Sequence, residues 1–240
     1  MSNNRWIFWH RRDLRLNDNK GLYKTREITS YITGIYILDE EIIDPKNKNC
    51  IFSPAKKWFL SESLKELEEK WKMAGSRLLI LTGKPIDILP EIVNKINAKG
   101  ICWNENYEPY EQERDRAIKR KLITQSINIK TFTDQLIVDP YTIKNAANTP
   151  YRVYTPFFNN WRNRISEDSY LDHEKDIIKT YKNPASLKDI SEMELESLIN
   201  FQAKLIQSKS ANSLTNQIKR HEFSGSGLCP CRPGEDAAKK

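Results

Sequence analysis

No apolar run in the 240-residue sequence approaches the ~20 residues that a membrane-spanning helix needs. The opening Met-Ser-Asn-Asn-Arg5 lacks the charged, then apolar, then small-residue pattern of a secretory signal. Together these features predict a soluble, cytoplasmic protein with no membrane partner. Cysteine is sparse and scattered, at Cys50, Cys102, Cys229 and Cys231. The one close pair has a single residue between its members, which fits neither a zinc site nor a disulfide framework. Reduced thiols and no metal are therefore expected. An excess of one charge sign is modest, since 39 Lys and Arg face 32 Asp and Glu for a net +7. That balance is compatible with a polyanionic partner such as nucleic acid, but lysine and glutamate are interleaved and the excess selects no partner by itself.

The length suits one large domain, or one domain plus a tail, with enough material for a real core. The most informative stretch is Trp6-Ile-Phe-Trp-His-Arg-Arg-Asp-Leu-Arg-Leu-Asn-Asp18. It begins as the apolar run of a strand buried on both faces and changes abruptly into charge, which marks the strand's C-terminal end. In an open parallel sheet ligands bind at that end, so His10, Arg11, Arg12 and Asp13 stand where chemistry is expected.

From there two periodicities alternate. Asp18–Thr25 is predicted as a short helix and Ile28–Leu38, β-branched and aromatic throughout, as a strand closed by Asp39-Glu40. A polar loop over Glu41–Ser53 precedes a helix opened by Ser53-Pro54, in which Trp58, Leu60, Leu64, Leu67 and Trp71 recur at helical spacing as core. Ala74-Gly75 ends it. A strand over Arg77–Thr82, a helix over Pro85–Lys99, a strand over Ile101–Trp103, a helix over Glu111–Ile123 and a strand over Ile127–Phe132 follow. This rhythm implies right-handed crossovers and a Rossmann-like α/β fold, with a parallel five-stranded sheet and helices on both faces.

The turn after the fourth strand, Asn104-Glu-Asn-Tyr-Glu-Pro-Tyr-Glu111, lies at the same edge of that sheet as His10–Asp13, so the two can line one crevice. Tyr107 and Tyr110 offer stacking faces, while Asn104, Asn106, Glu108 and Glu111 offer polar contacts. A flat heteroaromatic ligand needs that combination. Acidic residues also suit a helix N-terminus, and both roles can hold at once. In Thr149-Pro-Tyr-Arg-Val-Tyr-Thr-Pro-Phe-Phe-Asn-Asn-Trp161, Pro156 fits a helix start, and Phe157, Phe158 and Trp161 are expected to pack back on the sheet. Arg162–Lys219 is polar, with two short helical patterns at Ser191–Ile199 and Phe201–Ile206, and reads as a linker wrapped around the domain.

Three of these segments carry a family resemblance. Phe8-Trp-His-Arg-Arg-Asp-Leu-Arg-Leu-Asn-Asp-Asn19 with Gly21-Leu22, then Trp103–Tyr110 with Arg114-Asp115, and Asp134-Gln-Leu-Ile-Val-Asp-Pro140 leading to Trp161 resemble DNA photolyases and cryptochromes, most closely the class I photolyases that act on cyclobutane pyrimidine dimers. The resemblance implies an antenna domain over 1–161 and a linker over 162–240. It further implies an antenna chromophore, either methenyltetrahydrofolate or 8-hydroxy-5-deazaflavin, held by His10, Arg11, Asp13, Asn104, Asn106, Glu108, Tyr110 and Glu111. The Glu108-Pro109-Tyr110 form is nearer the deazaflavin type, but Asn106 stands where those relatives carry an acidic residue, so both chromophores stay open.

Arg232-Pro-Gly-Glu-Asp-Ala-Ala238 resembles the start of the family's helical domain, which binds flavin adenine dinucleotide and damaged DNA. The expectation is therefore an N-terminal light-harvesting part with no catalytic residue of its own and no flavin, inactive alone in dimer splitting, with a separate flavin-binding subunit as a possible partner. A stand-alone cryptochrome-like chromophore or nucleotide-binding module, and an inert remnant, are the alternatives.

Overall fold

The computed structural model describes residues 4–43 and 54–167. Five strands, β1 (Trp6–His10), β2 (Ile32–Asp39), β3 (Leu78–Gly83), β4 (Gly100–Asn104) and β5 (Asn128–Phe132), form one sheet in the order β3-β2-β1-β4-β5. Every neighbouring pair is parallel. The chain starts at the centre, winds out to β3, returns across the sheet to β4 and winds out to β5. The order therefore reverses between β1 and β4, and the crevice of such a sheet opens there, beyond the strands' carboxyl ends.

Strand alternation supplies two cores. On one face Ile7, Trp9, Ile35, Ile37, Ile101 and Trp103 pack under helices α4 (Pro85–Lys95) and α5 (Pro109–Ile123). On the other, Trp6, Phe8, Ile32 and Cys102 pack under α1 (Lys20–Ile28) and α3 (Pro54–Met73). All five residues of β1 are buried, as its apolar run requires. The expected stripe of α3 is core at Leu64, Leu67 and Trp71. Trp71 lies so close to β2 that a Cβ on Gly34 would sit 2.5 Å from the indole Cε2, so only glycine fits there.

Boundaries differ from the sequence expectation in places. Ile28 closes α1 instead of opening β2, because the Thr29 N–H bonds back to the Thr25 carbonyl and extends the helical turn. Glu40–Ile43 forms one turn of helix, α2, where a loop was expected. A 3-10 turn occupies Pro140–Thr142.

The larger correction concerns α6 (Tyr154–Glu167). Phe157, Phe158 and Trp161 do not pack back on the sheet, and neither core cluster contains a residue of this helix. No residue from Tyr151 to Ile165 is buried. Helical spacing correctly marks a one-sided aromatic face; it does not say what lies opposite. The helix continues to Glu167. The two helical patterns at 191–206 and the Pro-Gly-Glu motif lie outside the described residues. No helix among the described residues is long and apolar enough to cross a membrane.

Candidate functional site

Three strands of the central sheet end in polar side chains: His10 on β1, Asp39 on β2 and Asn104 on β4. Because parallel strands place their carboxyl ends together, these groups and the turns that follow them meet at one rim. The His10–Asp13 turn and the Glu-Pro-Tyr turn are on the same edge, bridged by Arg12 to Glu108 at 2.7 Å and to Glu111 at 3.4 Å.

Beneath that bridge the rim is closed. His10 is fully buried. The Trp71 indole N–H donates to its Nε2 at 3.0 Å, so the ring proton resides on Nδ1, which donates to the Asp13 carbonyl at 2.8 Å. Asp13 Oδ1 accepts from the Arg11 backbone N–H, while Asp13 Oδ2 accepts from the amides of Asn104 and Asn19 at 2.7 and 3.2 Å. The Asn104 amide also reaches Asn19 Oδ1, and its own oxygen accepts from the Gly21 N–H.

Arg11 donates to Asp115 at 2.5 Å and to the Asn104 carbonyl. Burial pulls its pKa below the ordinary guanidinium value, opposed chiefly by Asp115. Arg114 pairs with the other oxygen of Asp115 at 3.1 Å and with Asp39 at 3.3 Å. The two guanidiniums flank Trp9 at 5.1 and 4.9 Å from its ring centre. Tyr110 donates to Asp39 at 3.1 Å. Burial, with Asp39 beside it, pushes the phenol well above its usual pKa and keeps it a donor.

Of the residues expected to face a ligand, His10, Arg11, Asp13 and Asn104 are thus committed to one another and to distant partners. They shape the rim and do not line an open cavity. Tyr110 belongs to the same network, and Glu108 forms the surface bridge. Glu111 is buried with its Oε2 unpaired. Asn106 alone of the eight lines a cleft of about 360 Å³ between the β4–α5 turn, α5 and the 3-10 turn.

That cleft is bordered by Tyr107 and Tyr141, whose rings are 6.2 Å apart, by Gln112, and by Arg116 and Lys119 on α5. Gln112 donates to the Tyr141 hydroxyl at 2.6 Å. The buried Asn106 amide nitrogen has no hydrogen-bond partner. A buried donor left unpaired beside a cleft of this size suits a ligand that brings an acceptor. Sequence reasoning missed Tyr141, Gln112, Arg116 and Lys119. Tyr141 comes from beyond β5, and nothing local ties it to the β4 turn. Asp39 was legible, as a third strand ending in a polar residue. No group of His, Cys, Asp and Glu among the described residues could hold a metal ion.

A doubly wound parallel sheet with polar turns converging at its switch point is the architecture of Rossmann-like ligand-binding domains. Residues 6–175 match the family model described as DNA photolyase, and the chain belongs to the DNA photolyase family. It is similar to the deoxyribodipyrimidine photo-lyase of Synechococcus sp., with 32% identity over 232 residues that cover 97% of this chain and 43% of that protein. A bacterial class III photolyase of Agrobacterium tumefaciens is similar in structure, with a TM-score of 0.57 and 30% identity over 66% of this chain and 32% of its own. So is an archaeal photolyase of Sulfolobus tokodaii, described with two FAD molecules and the implication of a novel light-harvesting cofactor. Its TM-score is 0.53, its identity 28%, and the likeness covers 64% of this chain and 33% of that one. The chain spans less than half the length of each of these relatives.

Proposed function

We propose that this chain is the light-harvesting part of a deoxyribodipyrimidine photolyase, holding a flat antenna chromophore, a folate or a deazaflavin, at the carboxyl rim of its sheet. The observation that carries the reading is the buried, unpartnered Asn106 amide nitrogen beside a cleft of about 360 Å³. Family membership supports it independently. When bound, such a chromophore absorbs near-ultraviolet or blue light and passes the excitation on.

Each element of the site then has a task. Asn106 donates to a ring carbonyl or ring nitrogen. Tyr107 and Tyr141 offer stacking faces, which select a planar ligand without demanding a particular substituent pattern. Arg116 borders the cleft with positive charge for an acidic tail, while the neighbouring Lys119 is paired with Glu105 at 3.2 Å. The buried network of Arg11, Asp115, Arg114 and Asp39 holds the β1 turn against α5 and fixes the start of that helix. The cleft wall is thereby preorganised and little ordering is left for binding.

Electron transfer to the lesion and the grip on damaged DNA belong, in this reading, to the remaining length of the relatives. The cytoplasm is the compartment in which we place the protein.

Titration of the purified chain with methenyltetrahydrofolate, with a 5-deazaflavin and with riboflavin, followed by absorbance and fluorescence, tests the proposal. Saturable binding of one ring system is expected. Asn106→Ala should weaken it about tenfold, equivalent to ~1.4 kcal/mol, and leave the unfolding midpoint unchanged. Absence of binding by all three, or equal binding by wild type and Asn106→Ala, overturns it.

A further inference from the structure

Two side-chain amides stand in the wall of the cleft, and each has a polar atom that the fold does not use. Asn106 is 8% exposed, and its amide nitrogen meets no acceptor. Gln112, in the first turn of α5, commits its amide nitrogen twice, to the Tyr107 carbonyl at 3.0 Å and to the Tyr141 hydroxyl at 2.6 Å. A backbone carbonyl can only accept, so the first of these bonds fixes which end of the amide carries the nitrogen. The Gln112 side-chain oxygen is the group left over. It accepts from no donor among the described residues.

The tie to Tyr107 makes the two amides neighbours. Asn106 directly precedes Tyr107, Gln112 is bonded to Tyr107, and all three line the same cleft. The wall therefore offers a free donor and a free acceptor side by side. We propose that Asn106 and Gln112 read a cis-lactam edge, a ring carbonyl next to a ring N–H, with the carbonyl accepting from Asn106 Nδ2 and the N–H donating to Gln112 Oε1. This inference rests on the proposed function and narrows it. The pterin ring of a folate and the dione ring of a deazaflavin both present that edge, so the cleft recognises what the two chromophores share.

Two hydrogen bonds from separate residues fix a ring in its own plane, whereas Tyr107 and Tyr141 offer only contact to its faces. The two bonds differ in weight. A ring without the carbonyl leaves the Asn106 donor buried and unpaired, but the half-buried Gln112 can fall back on water. The carbonyl is thus the stronger requirement, and the N–H sets the finer discrimination.

Paired titrations of the full-length chain, followed by fluorescence, test this with riboflavin, 5-deazariboflavin and pterin, each against its N3-methyl derivative. The methyl group removes the N–H and leaves the carbonyl and the stacking faces in place. A parent ring that binds should do so about tenfold more tightly than its methylated form. In Gln112→Met, which keeps the length of the side chain but has no oxygen, the two affinities should become equal. In Gln112→Glu, which keeps an acceptor, the preference should persist. A Gln112 that served only to hold the wall would lower both affinities and leave their ratio unchanged. Equal affinities within every pair for the wild type, or an unchanged ratio in Gln112→Met, overturn this inference and leave the proposed function standing. Binding by none of the parent rings overturns both.

Discussion

The rim between β1 and β4 and the helix α6 treat polarity in opposite ways. At the rim, charged and amide groups are buried, and nearly all are matched by groups from far along the chain. On α6, aromatic rings are exposed or half-buried and meet one another and the nearby Tyr151. A buried charge is tolerated only when its partners arrive in the right geometry, so the rim is an all-or-none arrangement whose removal in part costs more than its formation contributes. An exposed ring carries no such penalty within the domain. The rim is thus specified from inside the sheet, whereas the aromatic side of α6 takes no part in either core.

Substitution sharpens that contrast. Asp115→Ala takes one carboxylate from two buried guanidiniums, Arg11 and Arg114, and is expected to destabilise the domain by about 3–5 kcal/mol in a urea denaturation series. A loss under 1 kcal/mol would mean that water enters the rim freely. Trp71→Phe keeps a ring against Gly34 but removes the donor to His10 Nε2, and should cost about 2 kcal/mol, with the His10 Nε2 signal in NMR shifting as that hydrogen bond is lost while the Asp13 carbonyl keeps the proton on Nδ1. Tyr154→Ser should change the unfolding free energy of the sheet domain, read from urea denaturation, by less than about 0.5 kcal/mol. A large effect there would place α6 inside the cooperative unit and dissolve the contrast.

Much of the architecture could be read in advance because the physics that builds it is local. Trp6–Trp9 is apolar on both sides of the pleat, which only a central strand tolerates, and Leu64, Leu67 and Trp71 recur with the helical turn. The edge strand β5 was harder, with Asn128 and Lys130 exposed. At the rim, the meeting of two turns was legible from their positions at strand ends. Whether their side chains face inward was not, because that depends on Trp71, Asp115 and Asp134, which lie 61, 104 and 119 residues from His10, Arg11 and Arg15. The same limit hid the cleft, since Tyr141 reaches it from beyond the last strand. The exposed face of α6 is the converse case: periodicity identifies an apolar side and is silent on its partner.

The first helix of the fold carries a consequence for ligand choice. In dinucleotide-binding sheets the free N–H groups at the start of the helix after β1 cradle a pyrophosphate. Here those amides already have acceptors supplied by the protein: Asp134 takes the Lys20 N–H at 2.8 Å, Asn104 the Gly21 N–H at 3.1 Å and Asn19 the Leu22 N–H at 3.1 Å. Asp134 and Asp13 hold the negative charge that a diphosphate would otherwise bring. The N–H groups that open α1 are thus satisfied by the protein's own side chains, and none of the three is left free for a phosphate.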